Sequence, residues 1–225
     1  MNLLSLTYAE FERLLKGFAI VTFVVAGGIF AVRIAFDTSI LTAAWQAISS
    51  ALTVAGFAFG FFARRTWNYP LLAKWLGRPI VHGLWRGTLN TSYKRPDGQA
   101  IPPIEIAFVI RQTYLSLSIE SFTSDQEGES KVEALIQNMR TDATRICYIF
   151  ELRRQYNGEN KLTTGSGELK LLDAGNRLKG HYWTNSPTQG DLELRLVTRN
   201  CEEVNCYEVA ERKWLEIKSQ VQISA

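Results

Sequence analysis

The sequence predicts an N-terminal transmembrane α-hairpin followed by an all-β domain, closed as an eight-stranded antiparallel up-and-down barrel. Three observations carry that reading. From Gly17 to Ala63, 47 residues hold only two charges, Arg33 and Asp37. From about Ile80 onward, apolar and polar residues alternate at period two. Each alternating run ends in a turn signal, and no break is long enough to hold a crossover helix. The mean hydropathy of −0.06 averages these unlike parts. The 162 residues from Arg64 on carry 22 Lys/Arg and 19 Asp/Glu, so the whole net charge of +3 sits there. This excludes a disordered chain and a purely soluble one. It is too weak a charge for duplex binding, and no DNA or RNA partner is expected. Three cysteines, Cys147, Cys201 and Cys206, are an odd count. They imply no paired disulfide framework and agree with a reducing compartment.

The hairpin occupies residues 1–65, with spans at about 17–36 and 40–63. Ile40 to Ala63 is 24 residues without a charge. As a helix it is about 36 Å long, enough for a hydrocarbon core of about 30 Å. The first span runs uncharged from Gly17 to Arg33, which snorkels to the interface one turn from the end. Asp37, Thr38 and Ser39 form a short polar turn that caps the second helix. A cleaved signal peptide is the competing reading of the first span, but no small-residue cleavage site and mature domain follow it directly. Arg13 and Lys16 precede the hairpin, and Arg64, Arg65, Lys74 and Arg78 follow it. The positive-inside rule therefore places the N-terminus and the large C-terminal part in the cytoplasm. Trp67, Tyr69 and Trp75 are expected in an interfacial aromatic belt. Small residues recur at four-residue spacing: Gly27, Ala31 and Ala35 on the first helix, and Ala43, Ala47, Ala51 and Ala55 on the second, which also carries Gly56 and Gly60. Such ridges let helix backbones approach closely, within the hairpin or between chains. No charged residue faces a pore, so a selective ion channel is poorly supported.

A linker, 66–78, leads to the barrel at 79–200, and a tail, 201–225, mixes helix and strand patterns. Eight strands are expected at Ile80–Tyr93, Ile104–Gln112, Tyr114–Thr123, Ser130–Asn138, Arg145–Arg153, Thr163–Leu172, Arg177–Thr184 and Gly190–Thr198. Consecutive strands without crossovers pair antiparallel, and closure removes exposed edges. The lipocalin-like barrel follows; a sandwich is the alternative.

Alternation assigns an inward set. Strands leaving the membrane and returning to it place Val81, Trp85, Ile110, Leu115, Ile146, Leu171, Leu178 and Leu196 at the membrane-near end. The far end gathers Thr91, Tyr93, Ser121, Thr123, Arg154, Thr163, Tyr182 and Thr184. Hydroxyls, one Arg and two Tyr suit a ligand with phosphates and flat bases. Thr91, Tyr93, Ser121, Thr123, Arg154, Tyr182 and Thr184 are the candidate ligand-binding residues. Strand ends are also polar in any protein because they meet water, and that reading stands beside the first.

No metal set or catalytic constellation emerges. His82 and His181 fall on the outward parity, and two histidines are too few for a metal site. Cys201-x4-Cys206 is not a metal spacing. Gly165-Ser166-Gly167-Glu168 lacks the Lys and the strand–helix context of a phosphate loop. Glu105, Glu120, Glu151 and Glu193 fall mostly on the outward parity, which disfavours a catalytic pair. The expectation is a binding protein without enzymatic turnover, without metal or cofactor.

The order of hairpin and strand-rich domain resembles the 2TM β-barrel effectors of bacterial CBASS anti-phage defence. His82-Gly83-Leu84-Trp85-Arg86-Gly87-Thr88-Leu89 looks like their first barrel strand. Leu178-Lys179-Gly180-His181-Tyr182-Trp183-Thr184 with Gly190-Asp191-Leu192-Glu193-Leu194 looks like their last two. The resemblance covers nearly the whole chain, and the architecture is its specific part. It implies an anti-phage effector of the bacterial inner membrane. A partner CD-NTase makes a cyclic dinucleotide, the barrel binds it, the protein forms a homo-oligomer, and the hairpins disrupt membrane lipid until the cell dies. Two other readings remain: a membrane-tethered carrier of a small apolar ligand, and a membrane-anchored enzyme using the barrel mouth.

Overall fold

A computed structural model describes residues 5–36, 39–69, 73, 76–138, 141, 143–156, 159–186 and 188–223; the side chains of 154–156, 159–161 and 221–223 lie outside the description. The chain divides into two compact units, one of Leu6–Arg78 with Thr113–Leu115, the other of Pro79–Gln112 and Ser116–Ala225.

The first unit is built on helices α1, Tyr8–Ala35, and α2, Ile40–Phe61. Thr7 and Glu10 form a reciprocal capping box that starts α1. Ser39 precedes α2 without a side-chain bond to the helix backbone; its hydroxyl meets Thr42 Oγ1 at 2.8 Å. Asp37 and Thr38 lie outside the described residues. Both helices are long and apolar enough to cross a membrane. None of the α1 window and 22% of the α2 window is buried. Thr22 and Thr53 donate to the carbonyls of Phe18 and Ser49, four residues back, which satisfies their hydroxyls locally.

Ala43, Ala47, Ala51 and Ala55 are the buried residues of α2, and α1 packs on that ridge, with Phe18 edge-on to Phe59 at 6.1 Å. Gly27, Ala31, Gly56 and Gly60 take no part in that seam: Gly27, Ala31 and Gly56 are exposed, and a Cβ at Gly27, Gly56 or Gly60 would meet nothing within 4 Å. A π-helical turn, Phe62–Thr66, ends α2. Trp67, expected at the interface, is instead 1% exposed and lies edge-on to Tyr114, while Tyr69 is exposed and Trp75 lies outside the described residues. Arg78, also buried, pairs with Glu10 at 3.1 Å.

The second unit is a closed barrel of β1, Gly83–Thr91; β2, Ile104–Gln112; β3, Leu117–Phe122; β4, Gln126–Asn138; β5, Ala143–Tyr156; β6, Glu159–Leu172; β7, Arg177–Thr184; and β8, Gln189–Thr198. Each strand pairs antiparallel with the next, and β8 returns to β1. The interior is the alternating set expected from the sequence, with Trp85, Phe108, Ile110, Ile119, Ile146, Leu169, Leu178 and Leu194 at its centre. Leu115 is the exception, because β3 starts only at Leu117 and Thr113–Leu115 belong to the helical unit.

The start of β4 differs from the expectation by four residues, as does that of β6. β4 begins at Gln126, where a break reaching Glu129 was expected. Thr123 closes the β3–β4 turn in three residues, its hydroxyl accepting from Gln126 N–H at 3.0 Å, so the next strand starts at once. A bulge between Ser130 and Val132 then shifts the register, turning Glu133 and Leu135 inward and Val132 and Ile136 outward.

After β8 the tail forms one helix, α3, Tyr207–Ile223. Its start, with Cys201 and Val204, covers Leu84, Ala107, Val109 and Phe122 on the outer face of β1–β3. Arg86 reaches out from β1 to lie 3.8 Å from the Trp214 ring and to pair with Glu105 and Glu211.

Candidate functional site

The site is assembled at the end of the barrel where β1 finishes and β2 begins. Gly190 makes its first contact. It sits between Thr91 on β1 and Tyr182 on β7 in the strand register. A Cβ there would lie 1.9 Å from the Asn90 carbonyl oxygen and 2.8 Å from the Tyr182 ring, so the close approach of β8 to its neighbours needs glycine. Across that gap Tyr182 and Thr91 flank Gly190 from the two neighbouring strands.

Below this rim the rings follow one another. Tyr182 lies 6.5 Å from Phe150, Phe150 lies 5.6 Å from Tyr148, and Tyr148 lies 6.1 Å from Phe108, edge-on. Gly165 and Gly167 on β6 leave the room these rings occupy; a Cβ at either would fall 2.5 or 2.6 Å from the Phe150 or Tyr148 ring. Burial, then the neighbouring Tyr182, push the Tyr148 phenol far above the usual tyrosine range. Tyr182 is pushed up by burial, with the nearby Thr91 hydroxyl opposing. Both phenols stay neutral at physiological pH and keep a proton to donate.

One functional group escaped the sequence reading. Glu133 is 7% exposed, pairs in register with Tyr148, and accepts a hydrogen bond from the Ser130 hydroxyl, which itself accepts the Ile119 N–H at 2.8 Å. Strict alternation through Val132 points Glu133 outward, and only the bulge brings it in. A buried polar group this close to the rings is held by bonds that satisfy it.

The expected ligand residues divide. Thr91, Ser121 and Tyr182 lie on inward register at this end. Ser121 Oγ stands 2.4 Å from where a Gly128 Cβ would be, so that glycine leaves it space. Thr123 and Thr184 are at the same end, but their hydroxyls close turns. Thr123 Oγ1 holds the β3–β4 turn, and Thr184 Oγ1 holds the β7–β8 turn through Ser186 and Thr188. Tyr93 does not face inward: it lies past the end of β1 and is 47% exposed. The side chain of Arg154 lies outside the described residues. The result is a rim of hydroxyls over a floor of aromatic rings, with one carboxylate in the wall. Such a surface stacks flat rings and hydrogen-bonds polar edges.

The two histidines stay out of this site. His82 faces outward under the tail, its Nδ1 accepting from Gln112 N–H at 3.4 Å and its Nε2 3.8 Å from Cys201 Sγ; His181 is exposed. Glu105, Glu120, Glu151 and Glu193 are outward, paired with Arg86, Arg111, Lys131 and Arg177.

The class defined so far is a pair of apolar helices, able to span a membrane, joined to a small closed antiparallel barrel with a hydroxyl rim. No family model matches the chain. It is similar to CD-NTase-associated protein 15 of Staphylococcus schleiferi, 24% identical over 148 residues that cover 66% of this chain and 78% of that protein. Two apolar N-terminal helices, an eight-stranded barrel and this relative together fit a CBASS 2TM β-barrel effector.

Proposed function

We propose that the protein is a membrane effector of anti-phage defence whose barrel senses a cyclic dinucleotide made by a CD-NTase. The single observation that carries the ligand class is the end of the barrel where Thr91, Ser121 and Tyr182 stand over the Tyr182–Phe150–Tyr148 rings. Bases stack on aromatic faces with little regard to sequence, and hydroxyls and neutral phenols donate to phosphate or base oxygens. The protein acts as a receptor without turnover.

Both ends of the hairpin lie in the cytoplasm of a bacterial inner membrane, following the positive charge at Arg13, Lys16, Arg64 and Arg65. Binding promotes self-association, and gathered hairpins disrupt the bilayer and kill the infected cell. A ligand at 100 times its dissociation constant supplies about 2.7 kcal/mol to the bound state. That suffices to shift a monomer–oligomer balance when only the bound barrel makes the contact.

The test is a thermal shift on the full chain in detergent against cyclic di- and trinucleotides, with linear dinucleotides as controls. A rise with one or two cyclic ligands, weakened at least tenfold in apparent affinity by Tyr182→Phe with Thr91→Val, is expected. No shift with any of them, in a folded sample, overturns the reading.

A further inference from the structure

An apolar face crosses the outside of β4–β7. Val132 pairs with Ile149, Ile149 with Ser166, and Ser166 with Trp183, so these four residues stand at one level on adjacent strands. With strands about 4.8 Å apart, the stripe is about 15 Å wide. Val132, Ile149 and Trp183 are 44, 48 and 53% exposed, and Ile136 and Leu162, four residues from the stripe on β4 and β6, are 46 and 54% exposed. Ile136 stands level with Arg145 on one side of the stripe and Leu162 level with Arg153 on the other, so the apolar stripe itself is Val132, Ile149 and Trp183. The bulge at the start of β4 is what turns Val132 and Ile136 outward.

What fits this face follows from the charges beside it. Glu129 and Glu151 pair with each other in register on one side of the stripe. Arg145 and Lys170 pair with each other on the other side. Lys131 bridges Glu129 and Glu151 at 2.8 and 3.6 Å, and Glu127 pairs in register with Arg153, which leaves the acidic side one net negative charge; Glu168 beside Arg145 leaves the other side one net positive charge. A partner of one sign, such as an anionic bilayer or a nucleic acid, is attracted by one side and repelled by the other. A second copy is attracted by both. A two-fold axis along the stripe lays the acidic side of one copy over the basic side of the other and sets each stripe residue against its own counterpart. The barrel's other outer apolar face, on β1–β3, is already covered by the chain's own tail.

We propose that the outer wall of β4–β7 binds a second copy of this chain in an isologous contact centred on Ile149, with Trp183 as its aromatic anchor. This names the surface for the self-association invoked under the proposed function and rests on that reading. The test introduces Ile149→Cys into the full chain with Cys147→Ser and oxidises it in membranes with copper phenanthroline. It is run without nucleotide and with cyclic di-AMP, cyclic di-GMP or cyclic GMP-AMP. A disulfide-linked dimer is expected in at least one condition. The dimer should fall at least tenfold when Trp183→Glu is added, and Arg195→Cys on β8 should give none. Val132→Cys reads the same contact should Ile149→Cys fold poorly. Absence of dimer at both positions in every condition, equal yield at Arg195→Cys, or indifference to Trp183→Glu overturns the proposal. The thermal shift separates the two readings: nucleotide binding without cross-linking removes this surface alone, and cross-linking without nucleotide binding removes the receptor alone.

Discussion

Glycine positions in this protein have opposite consequences according to what a single methyl group would strike. At Gly180 a Cβ would lie 1.7 Å from the Glu168 carbonyl oxygen and 2.9 Å from the Leu169 Cα, both backbone atoms of β6. Backbone cannot rotate away as a side chain can, so β6 and β7 must separate. Gly180→Ala is expected to destabilise the barrel by about 1–3 kcal/mol, read by chemical unfolding of the full chain in detergent. Gly56→Ala, where nothing lies within 4 Å, is expected to leave stability unchanged or slightly raised. His82 gives a second prediction at this scale. Burial first, then Arg199, hold its pKa below the ordinary 6.5. The unfolded chain therefore takes up a proton near pH 6.5 while the folded one does not. Stability is full above that value and falls as the pH drops below it, until the folded group also titrates. The loss between pH 7.5 and 5.5 should be smaller in His82→Gln than in the parent.

The elements hold through a few contacts that can be cut one at a time. The start of α3 clasps the barrel wall through its apolar side, and Arg86 adds a guanidinium stacked on Trp214. Trp214→Ala is expected to cost about 1–2 kcal/mol from the lost cation–π contact, and Trp214→Phe to recover part of it. Faster hydrogen exchange in 207–220 would check that the loss is local to α3. In the helical unit, the Arg78 side chain is fully buried and the Glu10 side chain 13% exposed. Removing Glu10 takes the carboxylate from the Arg78 guanidinium, which keeps its contact with the Tyr114 ring. Glu10→Ala is expected to lower stability by about 1.5–3 kcal/mol, more than the exposed Lys16–Glu12 pair contributes. Thermal unfolding of the two variants Glu10→Ala and Glu12→Ala in detergent compares them directly.

At the scale of the molecule, the proposed activity requires two parts with different solvents. The hairpin helices are long and apolar enough to cross a membrane, and the barrel carries the hydroxyl rim. Neither part alone should kill. Replacing 1–65 with an unrelated two-helix anchor is expected to keep nucleotide binding and abolish toxicity, measured as membrane-potential loss in cells expressing the matching CD-NTase. Retained toxicity would show that the hairpin is only a tether.

Much of this architecture was legible in the residues themselves, because two of its causes are local. A 47-residue stretch with only two charges reads as two apolar helices long enough to cross a membrane, because a helix satisfies its own backbone. Strict alternation in β1, β2, β5 and β7 names the interior residue by residue, since successive side chains must point to opposite faces. The antiparallel order of eight strands followed from breaks too short for any crossover, while the return of β8 to β1, which closes a barrel instead of a sandwich, was decided by the tertiary structure. Tertiary structure decided the rest. A one-residue bulge inverted the parity of β4, which buried Glu133 and exposed Val132 and Ile136, and no periodicity announces such a shift. Thr123 and Thr184 read as ligand groups by parity alone, yet their hydroxyls are committed to turns whose geometry depends on the partner strand. The outer apolar stripe is invisible along the chain because its members, Val132, Ile149 and Trp183, are brought together only by strand register. Sequence determined the elements and their inward faces through local backbone and solvent chemistry. Pairing between strands determined which side chains stand side by side, because register is set by contacts far apart in the chain.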